Sequence, residues 1–393
     1  MADHSVSIGM SSPDVTEREI AAVVSVLRSG RLSLGPAAAE FERAFAAYVG
    51  AQAAVSVSSG TAALHLALIA AGVSDGDLVV TTPFSFVATA SAILYERAVP
   101  VFVDVEPATG NLDVAALERV VTGLASGGRT GLPRRLGTAD EVRGLKAILP
   151  VHVFGRPVDM TSVTSLARAH DLAVIEDACE AVGAEWDGRR VGALGDVGCF
   201  GFYPNKQLTT AEGGMIVTND PCRAALCRSL RNHARDDQHR FVSNRVGHNY
   251  RLSEMSCALG LVQLDRLEEL LEKRARVARW YDERLADVPG VRSPAPAAPG
   301  SRPTWFVYVV RFDDPSQRAS TTEALHAAGI ASRHYFDPIH LHPYFTSRFG
   351  YQPGDFPNAE RLADACLALP FASTMTEPTV DRVCEALRAS IAG

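Results

Sequence analysis

The chain has 393 residues, 47% of them hydrophobic, which is enough to bury a large core and supplies two or three domains' worth of structure. Its net charge of −7 and pI near 5.9 exclude a general electrostatic attraction to nucleic acid or to anionic membrane, so any anionic ligand must be held by a local site. Seven cysteines without a Cys-x-x-Cys pair fit poorly with a disulfide framework. With no stretch approaching the ~18 apolar residues of a membrane span and no basic-then-apolar leader, a cytoplasmic protein with reduced thiols is expected.

From residue 14 to about 250, helical patterns alternate with short β-rich runs, the signature of a parallel sheet covered by helices. Strands are predicted at Ala54–Val57, Leu78–Thr81, Val99–Val103, Ala147–His152, Ala173–Glu176, Gly198–Phe202 and Met215–Thr218. Several are continuous apolar runs, as expected of strands buried on both faces. Helices are predicted between them at Thr61–Ala71, Val87–Tyr95, Asp113–Val121 and Met160–His170. Residues 122–143 are rich in Gly and Arg and lack periodicity. They read as a surface insertion, or as a lid whose Arg129, Arg134 or Arg135 reaches an anionic substrate.

One long amphipathic helix is predicted from Ser253 to Leu285, capped by Ser253, with Met255, Leu259, Val262 and Leu267 on helical spacing. After the Pro-rich stretch Pro294–Pro303, a strand at Trp305–Phe312, a helix at Ser320–Ala328, a strand at Ile330–Tyr335 and a final helix beyond Pro378 form a smaller α/β unit. The expected organisation is a large domain over residues 1–252, followed by a bridging helix and small domain over residues 253–393.

Only Lys146, Lys206 and Lys273 are lysines among the 38 basic residues. Lys206 stands between a Pro-Asn turn and a Gly pair, in Tyr203-Pro-Asn-Lys-Gln-Leu-Thr-Thr-Ala-Glu-Gly-Gly214, where a guanidinium evidently does not substitute. Schiff-base chemistry is such a position, because arginine stays protonated while a lysine amine can lose its proton and condense with an aldehyde. Ser59-Gly60-Thr61 follows a strand and opens a helix, exposing backbone N–H groups that suit a phosphate or simply a cap. Asp177 ends an apolar strand at the sheet edge where α/β proteins place ligand groups. Phe86, in Pro83-Phe-Ser-Phe86, has a ring that suits either a flat heterocycle or the core.

In this order and spacing, these segments resemble the DegT/DnrJ/EryC1/StrS family of pyridoxal-phosphate (PLP) sugar aminotransferases. Val151-His-Val-Phe-Gly155, Glu212-Gly-Gly214, Gly247-His-Asn-Tyr-Arg251 and Leu369-Pro370 carry the same resemblance. It covers residues 7 to 388 apart from the 122–143 insertion. It implies an aspartate aminotransferase-like α/β fold (fold type I), with a large, mostly parallel sheet domain and a smaller C-terminal α/β domain. By that resemblance Lys206 condenses with PLP and then moves the substrate proton, and Asp177 pairs with the pyridine nitrogen. Phe86 stacks on the ring, the Gly60 and Thr61 backbone holds the phosphate, and Asn249 reaches the cofactor of a neighbouring subunit, so a homodimer is implied.

Two positions depart from the family pattern. Gly201 stands where a phosphate-binding serine is common, leaving Ser59 or a water to compensate. Glu180 stands where glutamine or histidine flanks the phenolic oxygen of the cofactor, and a carboxylate there is repulsive unless one partner is protonated. The resemblance further places Arg251, Arg333, His334, Tyr335 and His340 toward the substrate. His340 and His342 lack a third metal ligand and zinc spacing, so no metal is expected.

The function implied is transfer of an amino group from an amino acid, L-glutamate by expectation, to a keto group of a nucleotide-linked deoxysugar. Pyridoxamine phosphate (PMP) is the carrier and the kinetics are ping-pong. Amination of a keto-cyclitol or other ketone, and a PLP-binding regulator without turnover, are the alternatives. A sugar dehydratase of the same fold would carry histidine in place of Lys206.

Overall fold

The computed structural model describes residues 7–136, 142–235 and 245–392. In chain order the helices are α1 (Glu17–Ser29), α2 (Pro36–Val49), α3 (Gly60–Ala70), α4 (Ala88–Tyr95), α5 (Val114–Ala125), α6 (Met160–Ala169), α7 (Pro221–Leu230), α8 (Glu254–Asp265), α9 (Leu267–Leu285), α10 (Ser316–Ala327), α11 (Pro343–Phe349), α12 (Pro357–Ala365) and α13 (Glu377–Ala392). The strands are β1 (Ala53–Val57), β2 (Asp77–Thr81), β3 (Val99–Phe102), β4 (Gly144–Ile148), β5 (Ala173–Asp177), β6 (Glu185–Trp186), β7 (Arg189–Arg190), β8 (Val197–Gly201), β9 (Gly214–Thr218), β10 (Val291–Arg292), β11 (Ser301–Arg302), β12 (Tyr308–Phe312) and β13 (Cys366–Leu369).

The seven strands expected in the large domain form one sheet, ordered β1-β9-β8-β5-β4-β2-β3. Pairing is parallel from β8 through β5, β4 and β2 to β3, while β9 runs antiparallel to both β8 and β1. Strands β2, β3, β8 and β9 are buried along their whole length, because helices cover both faces, and this explains their unbroken apolar runs. α3 is apolar around most of its circumference, with Ala62 through Leu68 all buried, so it lies beneath other helices with only its first turn free to face a ligand.

A second sheet, β10-β12-β13, backs α9, α10 and α13 over a core that includes Tyr281, Tyr308, Leu325 and Leu387. The N-terminal segment joins this second unit: Ser7 and Ile8 donate to Gly329 O, and Met10 O accepts from Phe371 N. The predicted strand Ile330–Tyr335 is not one. It makes single bridges through Ile330 and Arg333, because the neighbouring β13 edge accommodates one residue of it.

The helix expected from Ser253 to Leu285 is two helices. Ser253 caps α8 as anticipated, its Oγ accepting from Ser256 N. The helix then breaks at Arg266, whose backbone (φ −96°, ψ 3°) leaves the helical region. Hydrophobic spacing continues through the break, so periodicity alone does not reveal it. Arg266 turns inward to bind Asp14 at 2.8 Å and Glu19 at 2.6 Å, and Lys273 adds a 2.8 Å contact to Asp14. This buried cluster fixes α1 against the break. The 122–143 segment starts as the last turns of α5. Arg134 then pairs with Asp355 (2.6 Å from Nη2) and Arg135 donates to Ser347 O at 3.0 Å, so both are fastened to the α11 region rather than held over a cleft. Residues 137–141 of that segment lie outside the described residues.

Burial alone would raise the Glu19 carboxyl, but hydrogen bonds from Thr16, Arg266 and Gln263 overcome it and hold the group at about 2, against an ordinary 4.5. Its contribution to stability is therefore complete above pH 4.5 and lost as pH falls toward 2. Glu19→Gln is expected to cost roughly 3 kcal/mol at neutral pH, as for breaking a buried pair, and to flatten the acid limb of stability. Urea melts at stepped pH measure both effects.

Candidate active site

The C-terminal ends of β5 and β8 converge on the N-terminus of α3, where Gly60 lies against Cys179 and Gly201. Ser59 caps α3, its Oγ accepting from Ala62 N at 3.0 Å, so that hydroxyl is occupied while the first-turn amides of Gly60 and Thr61 remain orphan donors. The backbones here approach too closely for side chains. A Cβ on Gly60 would lie 2.9 Å from Cys179 Sγ, and one on Gly214 would lie 2.4 Å from Ser59 O. Gly201 differs, since a Cβ there meets nothing nearer than 3.5 Å, and its missing hydroxyl is not enforced by space.

Asp177 ends β5 and is nearly buried. Its Oδ2 accepts from Thr89 Oγ1 at 2.7 Å and its Oδ1 from Cys179 N at 3.2 Å. Thr89 is held in turn by Ser85 at 2.9 Å. Phe86, just before α4, is 61% exposed, which rules out the core role open to it in the sequence. The neighbouring Glu176 is structural: fully buried, it accepts from the amides of Gly192, Leu194 and Gly195 and contacts His152 Nε2.

Lys206 follows the β8 strand. Its Nζ lies 3.5 Å from Glu180 Oε1 and 3.7 Å from the centroid of the Phe306 ring. Glu180 also accepts from Phe154 N at 2.9 Å, so its carboxylate faces the lysine amine. Burial pushes the Glu180 carboxyl up, with the Lys206 charge and the Phe154 amide opposing. Gln207 braces the same loop through Glu180 O (2.5 Å) and Thr304 Oγ1 (3.2 Å).

Sequence reasoning missed Arg274. Buried in α9, it donates from Nη2 to Asn205 O (3.1 Å) and Lys206 O (2.8 Å), and from Nη1 to Trp305 O (3.3 Å) and Phe306 O (3.2 Å). One guanidinium thus grips both the peptide of the lysine and the peptide of the ring that covers it. Burial lowers it to about 10. Its position on the buried face of an amphipathic helix was the available signal, since a charge there requires partners.

Asn249 is exposed, and its backbone bridges Asn232. The next residue, Tyr250, accepts from Ser58 N at 2.8 Å, which ties this segment to the loop before α3. Arg251 donates to Asn232 Oδ1 at 2.8 Å. Of the C-terminal candidates, Tyr335 stacks near Phe306 (6.4 Å between centroids) and stands within electrostatic reach of Glu180. Arg333 is exposed. His334 is bound to Ala363 O (2.6 Å) and Asp337 (3.1 Å). His340 corrects the expectation of a cleft-lining residue: it has no exposed surface, contacts Glu360 at 3.0 Å and packs against Phe356. The apolar spacing Ile339, Phe345, Phe349 carries it into the core.

A model of the DegT/DnrJ/EryC1/StrS aminotransferase family matches residues 13–388. The chain belongs to this family. It is a PLP-dependent aminotransferase, and members of the same family recur among its relatives. The chain is 40% identical over 358 residues to the GDP-perosamine synthase of Caulobacter vibrioides, covering 90% of each. It is 36% identical over 397 residues to the spore coat polysaccharide biosynthesis protein SpsC of Bacillus subtilis, covering 98% of this chain and 97% of the other. The crystal structure of the aminotransferase TlmJ from Streptoalloteichus hindustanus superposes with a TM-score of 0.87 at 33% identity, covering 98% and 99%. The aspartate aminotransferase-like fold expected from the motifs is the fold observed. Among the described residues no helix is long and apolar enough to cross a membrane.

If Arg274 sets the Lys206 loop, Arg274→Met is expected to lower the melting temperature and slow cofactor uptake, while Arg274→Lys restores part of both. Equal uptake rates for the native protein and Arg274→Met in stopped-flow absorbance would contradict this.

Proposed function

We propose that this aminotransferase moves an amino group from an amino acid, L-glutamate as the expected donor, to the keto group of a nucleotide-linked deoxysugar, and that it works as a homodimer. The observation that carries the chemistry is the half-enclosed amine of Lys206, set against Glu180 and under Phe306 beside the Asp177 end of β5. The sugar acceptor is supported by the names of the relatives, which include a GDP-perosamine synthase and a spore coat polysaccharide biosynthesis protein.

The residues present fit PLP. The glycine cradle at Gly60 and Gly214 leaves no room for side chains beside the orphan amides of α3, as a phosphate seat requires. Asp177, fixed by Thr89 and the Cys179 amide, supplies a buried carboxylate for a pyridinium N–H, and the exposed ring of Phe86 supplies a stacking face. When bound, PLP supplies an electron sink and, as PMP, carries the amino group between two half-reactions.

This chain's own residues do the rest. Lys206 Nζ captures the cofactor and, once displaced, takes and returns the proton at the substrate carbon. Glu180, its carboxyl raised by burial, stands 3.5 Å from that amine as a polar partner for it. Phe306 keeps water from one side of Nζ, and Tyr335 extends that aromatic wall. Gly60, Thr61 and the Gly201 amide orient the phosphate. Asn249 extends from an exposed position toward the partner's site, and Arg251 and Arg333 offer positive charge to a pyrophosphate.

The first measurement is an absorbance spectrum before and after adding L-glutamate, on the native protein and Lys206→Ala. A visible band that glutamate bleaches, absent from the variant, is expected. A protein that stays colourless with added PLP overturns the assignment of Lys206. For the shared site, Lys206→Ala and Asn249→Ala are each expected to be inactive, yet activity should reappear when they are mixed and re-paired, since each mixed dimer then holds one intact site. Continued inactivity of mixed dimers would refute the crossing of Asn249.

Burial raises the Glu180 carboxyl, so its ionisation is expected to leave a limb in the pH profile of PLP capture by cofactor-free protein. Glu180→Gln is expected to remove that limb, and an unchanged profile would count against the contact.

A further inference from the structure

A cleft separate from the lysine site opens between the 108–110 and 154–156 loops on one side and Pro294–Ala295, Pro303–Trp305 and β12 on the other. The space within it, open solvent included, is about 530 Å3. Its walls are largely apolar, formed by Phe84, Phe154, Trp305, Val309 and Leu362 among others, and the charged side chains lining it are two arginines, Arg156 and Arg311. No acidic side chain among the described residues lines it.

Arg156 is 9% exposed, and its Nη2 donates to Pro296 O at 2.7 Å. Arg311 donates to Pro107 O. Neither forms an ion pair with a carboxylate among the described residues, although the chain forms many such pairs elsewhere. Asp313 feels the Arg311 charge but is bonded by Arg292 instead. Burial lowers Arg156, and the Arg311 charge adds to that lowering, which means the two cations repel across the cleft. A half-buried pair of like charges between apolar walls costs free energy unless an anion offsets it. Guanidinium groups are suited to bind a planar or tetrahedral oxyanion through paired N–H donors.

We propose that Arg156 and Arg311 together hold an oxyanion, a carboxylate or a phosphate carried on an apolar body, in this cleft. Lys206, Glu180 and Asp177 do not line this cleft, and Phe84 and Phe154 in its wall pack with Phe336, the ring centroids lying 5.3 to 6.0 Å apart. An occupant would span the two units of the chain, since Arg156 follows the loop that binds Glu180 while Arg311 lies on β12. It would press on the same Phe154 whose amide holds Glu180, and on Thr304, whose N–H bonds Gly155 O at 2.9 Å.

The test uses the PLP-loaded protein, so that the phosphate seat at α3 is already filled. Inorganic phosphate and butyrate are titrated separately at constant ionic strength, with chloride as the balancing anion. Trp305 in the cleft wall provides an emission signal, Trp305→Phe controls its origin, and calorimetry follows binding independently. A saturable change is expected, with affinity weakened roughly tenfold or more in Arg156→Gln and in Arg311→Gln, the scale of a lost charged hydrogen bond. Response to phosphate alone assigns a phosphoryl ligand, and response to butyrate alone a carboxylate. Saturation by neither anion, or equal affinity in the double variant, overturns the proposal. Retained cofactor absorbance reports folding. Should Arg156→Gln not fold, the more exposed Arg311→Gln decides the question alone. Because the cofactor band is read in the same samples, loss of this site is distinguishable from failure of the lysine assignment.

Discussion

Arg274 holds its charge inside the protein among carbonyl oxygens, and the position of the Lys206 backbone depends on it. A buried guanidinium needs acceptors for its planar fork, and four main-chain carbonyls from two separate segments engage both Nη groups, while Nε has no partner among the described residues. Those segments are the Lys206 loop of the large sheet and the Trp305–Phe306 approach to β12. The desolvation of one side chain is thereby converted into a fixed relation between the two units of the chain. The Phe306 ring over Nζ, the Gln207 brace and the Glu180 contact all inherit that relation.

The sheet was legible because its strands are continuous apolar runs, and burial on both faces leaves no other reading for Val79, Ile148, Ile175 or Ile216. Lys206, Asp177 and the Ser59–Thr61 turn stood out in the sequence by residue type and setting, and the structure brings the ends of β5 and β8 together with the start of α3. The break at Arg266 was hidden because apolar spacing runs through it, and the turn is imposed by ion pairs with Asp14 and Glu19, some 250 residues away in sequence. His340 misled for the opposite reason. A histidine in a polar-looking loop suggested a cleft, but its fully buried ring belongs to an aromatic cluster with Tyr351 and Phe356. Arg274 could be suspected from its helix face, but its partners could not, since they are backbone atoms and leave no trace in sequence.

Membership of an aminotransferase family fixes the class of reaction and leaves the choice of ketone open. Beside Lys206, two residues depart from the pattern that the sequence resemblance implies. Glu180 sets a carboxylate against the amine, and Gly201 lacks a hydroxyl that space would permit. The 129–136 segment is fastened to the α11 region by Arg134 and Arg135.

The scarcity of lysine has a practical consequence. Lys273 has its amine engaged by Asp14 and Glu269, at 2.8 and 2.7 Å, and Lys146 stands exposed in the middle of β4. Only Lys206 combines enclosure with a neighbouring carboxylate and an aromatic face. A carbonyl compound fixed by reduction therefore has very few side-chain amines to choose from, and a single peptide mass separates them. The arginine-for-lysine composition makes the protein a nearly blank background on which the chemistry of one nitrogen can be followed.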